Sequence, residues 1–407
     1  MKLVGVVAEY NPFHRGHEYM LAEIRRQLGE DTSIVCVMSG SFVQRGECAL
    51  LSKFARAEAA VKGGADLVLE LPLPWALSSA EHFARGAVSL LSATGLVSHL
   101  AFGSECGDVE RLSRLAEGLQ RPEMDELIRE DLRQGVSYAA ARQLAAQRLL
   151  GDDAALLASP NDILAVEYLK TLGKVSPQII PLAIRRVGAG HDQGGEHEFL
   201  SASELRRRFC AGEDIAARLP RAMGEILLRE CIEGKAPFTM AKLETALLSR
   251  LRMLPKAAFS ALADNAEGLD NRLYTAVHEG ASWEEILTLA KSKRYAMARL
   301  RRMLVCAGLG MSASDRDGTP PYLRALAMSR QGRAVWRQME QSASLPRISR
   351  PGEVKALGTA AQRLFGLEAA ATDFCALALE GTEHRRPGQE WRRMPYIHQT
   401  ETGDTKI

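Results

Sequence analysis

The sequence predicts an α/β protein in which a doubly wound parallel sheet is followed by a mostly α-helical C-terminal domain. Three observations lead to this fold class. Strand-like runs alternate with helical stretches up to about residue 210, such runs nearly vanish afterwards, and the 407 residues are 46% hydrophobic and 25% charged. A chain of this size buries a large core and is expected to form two domains.

The strands of the sheet are predicted from short, mainly apolar runs bounded by polar residues. Helical spacing fills the intervals between them, as in successive βαβ units. The predicted strands cover residues 3–7, 33–38, 67–71 and 99–102, with a fifth near 178–180, and helices at 109–119, 123–134, 138–149 and 163–172 precede the fifth strand.

The C-terminal half shows helical periodicity with little strand character. Helices are predicted at residues 215–228, 242–253, 268–278, 283–290 and 295–307. The last residues are rich in Arg, Pro and polar side chains, which is typical of an irregular tail. The predicted domains are therefore residues 1–212 and 213–381, followed by a tail at 382–407.

Charge and cysteine content exclude several classes of protein. The formal net charge of +2 gives no global attraction to nucleic acid, so any such binding depends on a local patch. The seven cysteines contain no CxxC pair, which argues against a zinc site and a disulfide framework. Neither a signal peptide nor a long apolar span is recognisable, so we expect a cytoplasmic protein without a membrane partner.

A strand-to-helix turn at residues 9–17, with the sequence EYNPFHRGH, carries the most informative motif. Such a turn places backbone N–H groups and the positive end of a helix dipole at the carboxyl edge of a sheet, where nucleotides commonly bind. Gly16 allows a phosphate to approach the backbone, and Pro12 stiffens the loop that presents His14 and His17. The alternative is that one histidine caps the helix and the other packs.

His14-Arg15-Gly16-His17 resembles the HxGH signature of the nucleotidyltransferase superfamily, whose members attack the α-phosphate of a nucleoside triphosphate and release pyrophosphate. Residues 200–206, LSASELR, are similar to the ISSTxxR motif of the same fold. The resemblance implies a Rossmann-like nucleotidyltransferase domain. It also implies catalytic roles for His14, His17, Ser203 and Arg206.

The second motif has a physical rationale of its own. Ser201 and Glu204 have the spacing of a capping box at a helix start, and Arg206 can bind phosphate oxygens bidentately. An ordinary helix start would look the same.

Further segments resemble the bacterial tRNA(Met) cytidine acetate ligase family: residues 38–47, 65–72, 102–105 and 293–295. The resemblance extends from residue 1 to at least residues 320–324. It implies that ATP and acetate form acetyl-adenylate with loss of pyrophosphate, and that Mg²⁺ accompanies the phosphates. The exocyclic amine of the wobble cytidine in elongator tRNA(Met) then attacks the acyl carbon to give N4-acetylcytidine.

The same resemblance implies a set of ATP contacts. Two of them also have structural interpretations. Gly103 could be an ordinary turn glycine, and Asn161 could be the N-cap of a helix. The family usually carries an aromatic residue before the pair His191-Asp192, which this chain lacks, so the choice between Arg185 and Arg186 stays open. The implied contacts are Val7, Ala8, Glu9, Tyr10, Asn11, Pro12, Phe13, His14, Arg15, Gly16, His17, Glu18, Tyr19, Gly103, Asn161 and Arg186.

The loop at residues 39–53 follows the second strand, where a second substrate commonly binds in this fold. Its residues Gln44, Arg45 and Lys53 are candidates for contacts with the acyl intermediate or the tRNA. The alternative is a solvated loop.

A basic run between residues 291 and 302 is the predicted nucleic-acid contact, since residues 286–314 contain no acidic side chain. Leu300, Met303 and Leu304 would form a buried stripe and leave Arg294 and Arg301 on one outward face. A solvated basic helix is the alternative. The predicted contacts are Lys293, Arg294, Arg299, Arg301 and Arg302.

Two other functions fit the motifs. One is an adenylyltransferase acting on nicotinate mononucleotide or phosphopantetheine, and the other is a non-catalytic RNA-binding protein that keeps a nucleotide-binding domain. A long helical C-terminal region with a basic helix favours the ligase over the first, and the intact histidines, serine and arginine favour it over the second.

Overall fold

The computed structural model describes residues 2–186, 199–266 and 268–399. The pair His191-Asp192 lies outside the described residues. The strands are β1 (Leu3–Ala8), β2 (Ser33–Ser39), β3 (Phe42–Val43), β4 (Glu47–Cys48), β5 (Leu67–Leu71), β6 (His99–Ser104), β7 (Ile180–Arg185), β8 (Leu323–Met328), β9 (Arg347–Ile348) and β10 (Tyr396–Ile397).

Helices cover both faces of the sheet and build the C-terminal half. They are α1 (Arg15–Leu28), α2 (Lys53–Lys62), α3 (Leu73–Ala76), α4 (Ala80–Ala93), α5 (Val109–Gly118), α6 (Pro122–Arg133), α7 (Tyr138–Leu150), α8 (Pro160–Val175), α9 (Ala202–Cys210), α10 (Arg221–Ile232), α11 (Met240–Arg252), α12 (Lys256–Ser260), α13 (Leu269–Glu279), α14 (Trp283–Ala290), α15 (Met297–Gly308), α16 (Arg330–Ser342) and α17 (Thr359–Ala376).

The main sheet has the strand order β10-β8-β5-β2-β1-β6-β7, with β9 paired to β8. The five strands from β5 to β7 are parallel, whereas β8 runs antiparallel to β5. The chain moves outward from β1 in one direction through β2 and in the other through β6. This reversal creates a switch point between the carboxyl ends of β1 and β6, which is where open α/β sheets bind ligands.

The predicted α/β class is confirmed, and the first four predicted strands recur with extensions of at most two residues. The fifth lies slightly later in the chain than predicted. The C-terminal half departs from expectation, because it returns to the sheet through β8 and β10. The sheet thus draws on residues beyond 212, and residues 396–397 of the predicted irregular tail form a strand.

Two apolar layers pack on the sheet, because alternate residues of each strand point to opposite faces. Val35 and Val37 of β2 face one layer, while Ile34 and Cys36 face the other. The first layer runs on into the cores of α11, α13, α14 and α15, so the helical half and the sheet share a continuous core. No helix in the described part of the chain is long and apolar enough to cross a membrane.

A buried ion cluster links the sheet to the C-terminal half. It consists of Lys53, Glu70, Arg324, Glu368 and Glu390, whose side chains are at most 3% exposed. The Lys53 ammonium lies 2.8 Å from a Glu390 carboxylate oxygen, and Arg324 lies 2.8 Å from Glu70. The prediction that Lys53 contacts substrate is therefore wrong, because its charge is used inside the fold.

Candidate active site

A cleft of about 590 Å³ opens at the switch point, and we call it the switch-point cleft. It is formed by the turn after β1, the end of β6, the start of α8, the end of β7 and the start of α9. The predicted site residues that line it are Val7, Ala8, Glu9, Tyr10, Asn11, His14, Gly16, His17, Tyr19, Gly103, Asn161, Arg186, Ser203 and Arg206.

The turn after β1 is held in an unusual conformation. Tyr10 has a φ angle of 48°, which is costly for a residue with a side chain. Its buried ring compensates by packing edge-on against Phe13 at 5.0 Å and His17 at 4.8 Å between centroids, and its hydroxyl lies 3.2 Å from Cys36 Sγ. Such strain persists where the surroundings fix it, as at binding sites.

The two motif histidines form a stacked pair at the start of α1. Their ring centroids are 3.6 Å apart with an angle of 17° between the planes. The backbone N–H of His14 donates to Nδ1 of His17 at 3.1 Å. Because Nδ1 is an acceptor, a neutral His17 ring carries its proton on Nε2 and presents a hydrogen-bond donor there.

Both histidines are neutral at physiological pH. Burial and the nearby charge of Arg186 lower the pKa of His14 to about 4. Burial, followed by the charges of His14 and Arg186, lowers the pKa of His17 well below its usual value. The pair can thus serve as hydrogen-bond donors to an anion without titrating near pH 7.

Three buried polar atoms on residues of the cleft have no hydrogen-bond partner in the described part of the chain. They are Nδ2 of Asn11, Nδ1 of His14 and Nε2 of Gln44. Buried polar groups are almost always paired, so several unpaired ones around one cleft indicate a place where a ligand can bind. Their residues all line the same cleft, which supports the binding of a polar ligand between the turn after β1 and the loop at residues 39–53.

Arg206 connects the second motif to the first. Its Nη1 donates to the carbonyl oxygen of Asn11 at 2.7 Å, and its Nη2 lies 3.4 Å from the hydroxyl of Ser203. Ser201 caps α9 by accepting from the backbone N–H of Glu204, but the Glu204 carboxylate binds Arg207 and Arg208 instead of closing a capping box.

Glu105 organises the opposite wall and was not predicted as a site residue. Its carboxylate accepts from the Asn161 amide at 2.5 Å and lies 3.9 Å from Arg186 Nε. Asn161 is the second residue of α8, so it is not the helix N-cap. A carboxylate one residue after β6, at the switch point, was the available sequence signal.

The choice between Arg185 and Arg186 now has a physical argument. Both line the cleft, but the charge of Arg186 acts on His14 and His17. Its side chain also passes beside Gly103, where an added Cβ would meet its Cγ at 3.5 Å. Arg185 packs over Gly107 instead.

Four predicted contacts do not line the cleft. Phe13 is fully buried in the core, and Pro12 is buried beside it. Arg15 donates to the carbonyl of Ala217 at 3.0 Å, and Glu18 is exposed on α1. These residues shape or flank the turn, whereas Gln44 and Arg45 of the following loop do line the cleft.

The basic run is placed differently from the prediction. Leu300, Met303 and Leu304 are buried as expected. Arg294, however, precedes α15, and Arg301 forms an ion pair with Glu47 at 2.8 Å. The prediction that Arg294 and Arg301 share one outward face of a helix is therefore wrong.

The other predicted contacts of the basic run are either bound to protein carbonyls or exposed. Arg299 donates to the carbonyl of Asp264 and Arg302 to the carbonyl of Gln44, each at 3.1 Å. Lys293 is exposed, as is Arg294.

A glycine-containing turn with neutral histidines, an arginine from a second motif and a switch-point cleft define an enzyme of the nucleotidyltransferase class. The family described as HIGH Nucleotidyl Transferase matches residues 1–390, and the chain belongs to it and, within it, to the tRNA(Met) cytidine acetate ligases.

Two relatives of that name support this assignment. The protein from Acetivibrio thermocellus is 34% identical, over 96% of this chain and 98% of its own length. The protein from Syntrophomonas wolfei is 36% identical, over 97% and 99% respectively.

Solved structures agree with the sequence comparisons. The crystal structure of Thermotoga maritima TmcAL bound with α-thio ATP matches with a TM-score of 0.90 at 32% identity, covering 98% of this chain and all of that one. The apo form of the same protein matches with a TM-score of 0.92. The similarity therefore covers both the sheet and the C-terminal helices.

Proposed function

We propose that this protein is an ATP-dependent ligase that activates acetate as acetyl-adenylate and acetylates the wobble cytidine of elongator tRNA(Met). The observation that carries the proposal is the neutral histidine pair beside Arg206 in a chain that matches proteins of that name almost from end to end. The reaction takes place where tRNA is found, in the cytoplasm.

In the first step a carboxylate oxygen of acetate attacks the α-phosphorus of ATP, and the bond to pyrophosphate breaks. Negative charge grows on the non-bridging oxygens and on the leaving group. His17 and His14 donate hydrogen bonds to the phosphates, and Arg206 and Arg186 supply positive charge from two sides. Fixed donors of this kind are usually the largest contribution to catalysis.

ATP is held along the turn after β1. The apolar wall of the cleft, which includes Phe83, Phe102 and Tyr168, suits the adenine base, and Asn161 offers its amide. We propose that Mg²⁺ binds to the triphosphate and water. The described residues contain no group of three His, Cys, Asp or Glu side chains that could hold a metal.

In the second step the exocyclic amine of the cytidine attacks the acetyl carbonyl carbon. A C–N bond forms, the C–O bond to AMP breaks, and the amine loses a proton. The step needs no covalent acyl-enzyme, so no protein nucleophile has to be assigned.

Lys293 and Arg294 are the proposed phosphate contacts for tRNA. Both lie exposed in the turn between α14 and α15, where the ammonium of the neighbouring Lys291 instead donates to the carbonyl of Tyr295. Arg299, Arg301 and Arg302 were predicted to share this role, but their guanidinium groups bind protein acceptors. Phosphate contacts set affinity and orientation and do not read the base.

The test is to incubate the protein with ATP, labelled acetate and unfractionated tRNA, and then to locate the label by nuclease digestion. Label on the wobble cytidine of elongator tRNA(Met) supports the proposal. Transfer of AMP to nicotinate mononucleotide or phosphopantetheine, with no label on RNA, would favour the adenylyltransferase instead. The matched control is His17→Ala, which should form both the adenylate and the acetylated RNA much more slowly than wild type.

A further inference from the structure

A second cavity of about 400 Å³ adjoins the switch-point cleft. It lies between the nucleotidyltransferase half and the C-terminal helices, and its walls come from β4, α9, α11, α14 and α15. Ser203 and Arg206 line both spaces, so the second cavity begins where the proposed phosphate site ends. A group bound there would be adjacent to the reacting phosphate end of the switch-point cleft.

The walls of the second cavity are suited to a planar base. Phe238, Met240 and Trp283 provide apolar and aromatic surface. Phe238 and Trp283 are themselves nearly buried, at 9% and 7% exposure, so their positions are fixed by the core. Unpaired nucleobases are commonly recognised by stacking on such side chains, and the volume lies in the usual range of about 300–1,000 Å³ for small-molecule sites.

Three glutamates line the second cavity, Glu47, Glu244 and Glu284, and Glu47 is the one that lies between two arginines. Glu47 Oε1 lies 2.8 Å from Arg301 Nη1, and Glu47 Oε2 lies 3.8 Å from Arg206 Nη2. The Glu47 side chain is 28% exposed, so it remains accessible from the cavity. A carboxylate accepts a hydrogen bond from the exocyclic amine of cytosine, whereas uracil presents an acceptor at that position.

We propose that this cavity receives the acceptor cytosine after it unstacks from the anticodon loop, and that Glu47 accepts a hydrogen bond from its exocyclic amine. The inference rests on the proposed function and adds the location and selectivity of the acceptor base. Enzymes that modify a base commonly extrude it into a fitted pocket. Arg207, exposed at the edge of the cavity, lies where the RNA backbone would pass.

This placement puts the two substrates on opposite sides of Arg206. Arg206 lies at the junction of the two cavities, with the adenylate on the side of His14 and His17 and the base on the side of Trp283. Glu47 then holds the amine at that junction, facing the acetyl carbon. The location explains why a helical half is joined to the nucleotidyltransferase fold, since α11, α14 and α15 complete the cavity.

The first experiment fills the second cavity. Ala241 is exposed on α11 and lines it, so Ala241→Trp occupies the space without touching the switch-point cleft. Ser249→Trp is the matched control, because Ser249 is exposed on the same helix two turns away and does not line the cavity. We expect acetate-dependent ATP–pyrophosphate exchange to stay within twofold of wild type in both variants.

Acetyl transfer to tRNA should separate the two variants. Ala241→Trp is expected to lose about 100-fold in single-turnover transfer, and Ser249→Trp to retain it. Transfer at the wild-type rate in Ala241→Trp would overturn the cavity assignment. If wild-type protein exchanges pyrophosphate but never acetylates RNA, the proposed function itself fails, which is a distinguishable result.

The second experiment tests the selectivity of Glu47. Competition between anticodon stem-loop RNAs with cytidine or uridine at the acceptor position should favour cytidine by about tenfold in wild type. Glu47→Gln, whose amide can donate or accept, should remove that preference, while Glu47→Asp should retain it. An unchanged preference in Glu47→Gln would overturn the role of Glu47, even if overall affinity falls.

Discussion

In the switch-point cleft, Arg186 and Arg206 border open space beside two neutral histidines, whereas in the buried ion cluster Lys53 and Arg324 are enclosed by three carboxylates. Both regions gather charged side chains beside the sheet, although the ion cluster takes Glu70 and Arg324 from the strands β5 and β8 themselves. Among the described residues, the cleft has buried polar atoms without hydrogen-bond partners, while the Lys53 charge is shared among Glu70, Glu368 and Glu390.

The difference shows that pairing, and not residue type, separates a binding site from structural support. A cation whose carboxylate partners are buried with it has little charge left for a ligand. Arg206 is instead held by the backbone carbonyl of Asn11, and its carboxylate neighbour, Glu47, lies 3.8 Å away and is partly exposed, so more of its charge is available to an incoming anion. Lys53 and Arg206 are both basic residues near the start of a helix, α2 and α9, but they belong to these two different situations.

The largest expected effect breaks the buried ion cluster. Lys53→Met removes one of the two cations that face the buried acids Glu70, Glu368 and Glu390, and the loss of one partner of a buried ion network typically costs about 3–5 kcal/mol. The free energy of unfolding, measured by chemical denaturation, should fall by that amount. Lys62→Met on the same helix is the control and should cost less than about 1 kcal/mol, because its ion pair with Glu58 is partly exposed. Equal losses in the two variants would contradict this account.

The next effect removes a donor from the cleft. His17→Ala should reduce acetate-dependent ATP–pyrophosphate exchange by about 10²–10³-fold, since a fixed donor to developing charge is lost. Its affinity for tRNA should stay near that of wild type. His278→Ala, at an exposed histidine on α13, serves as the control. Normal exchange in His17→Ala would remove the basis for its catalytic role.

The pH dependence of stability should have opposite signs for His14 in the cleft and Glu368 in the ion cluster. His14 has its pKa lowered to about 4, so the unfolded chain binds the proton more readily and stability falls as the pH drops from 6.5 to 4. Burial and the charge of Glu70 raise the pKa of Glu368 to about 8, so its contribution is full below pH 4.5 and is lost as the pH rises towards 8.

Each of these losses has a slope of at most about 1.4 kcal/mol per pH unit. His14→Gln should flatten the acidic side of the stability profile, and Glu368→Gln the alkaline side. Denaturation series at pH 4.5, 6.5 and 8.5 would check both variants. The reverse assignment of the two effects would show that the protonation states described above are incorrect.

The smallest effect concerns the exposed turn between α14 and α15. Arg294→Glu should weaken tRNA binding and reduce the slope of log affinity against log salt by about 1, as for one lost phosphate contact. Arg337→Glu makes the same charge change at an exposed position on α16 and should leave that slope unchanged. An unaltered slope in Arg294→Glu would exclude it from the RNA interface.

Local patterns predicted most of the sheet and the phosphate end of the site. The strands β1, β2, β5 and β6 are apolar runs with clear boundaries, and the two motifs lie at helix starts. The antiparallel strand β8 was missed because Arg324 interrupts its apolar run, and folding pairs that charge with Glu70 and Glu390. The strand β10 is two residues long and depends on pairing with β8.

Long-range contacts account for the parts of the site that sequence reasoning missed. Glu105 becomes important because folding brings it to Asn161 and Arg186. Arg301 was predicted to lie on an outward helix face, but its ion pair with Glu47 of β4 places it at the wall of the second cavity. Helical periodicity describes which face of one helix is apolar, and it contains no information about which loop covers that face.

The most direct test compares Arg206→Gln with Lys53→Met in two assays, denaturation and acetate-dependent ATP–pyrophosphate exchange per folded molecule. Arg206→Gln should lose about 100-fold in exchange while its free energy of unfolding stays within about 1 kcal/mol of wild type. Lys53→Met should lose stability and keep its exchange rate within a few-fold, as judged below its unfolding transition. Full exchange in Arg206→Gln, or a folded but inactive Lys53→Met, would contradict the division between an open catalytic cleft and a closed structural cluster.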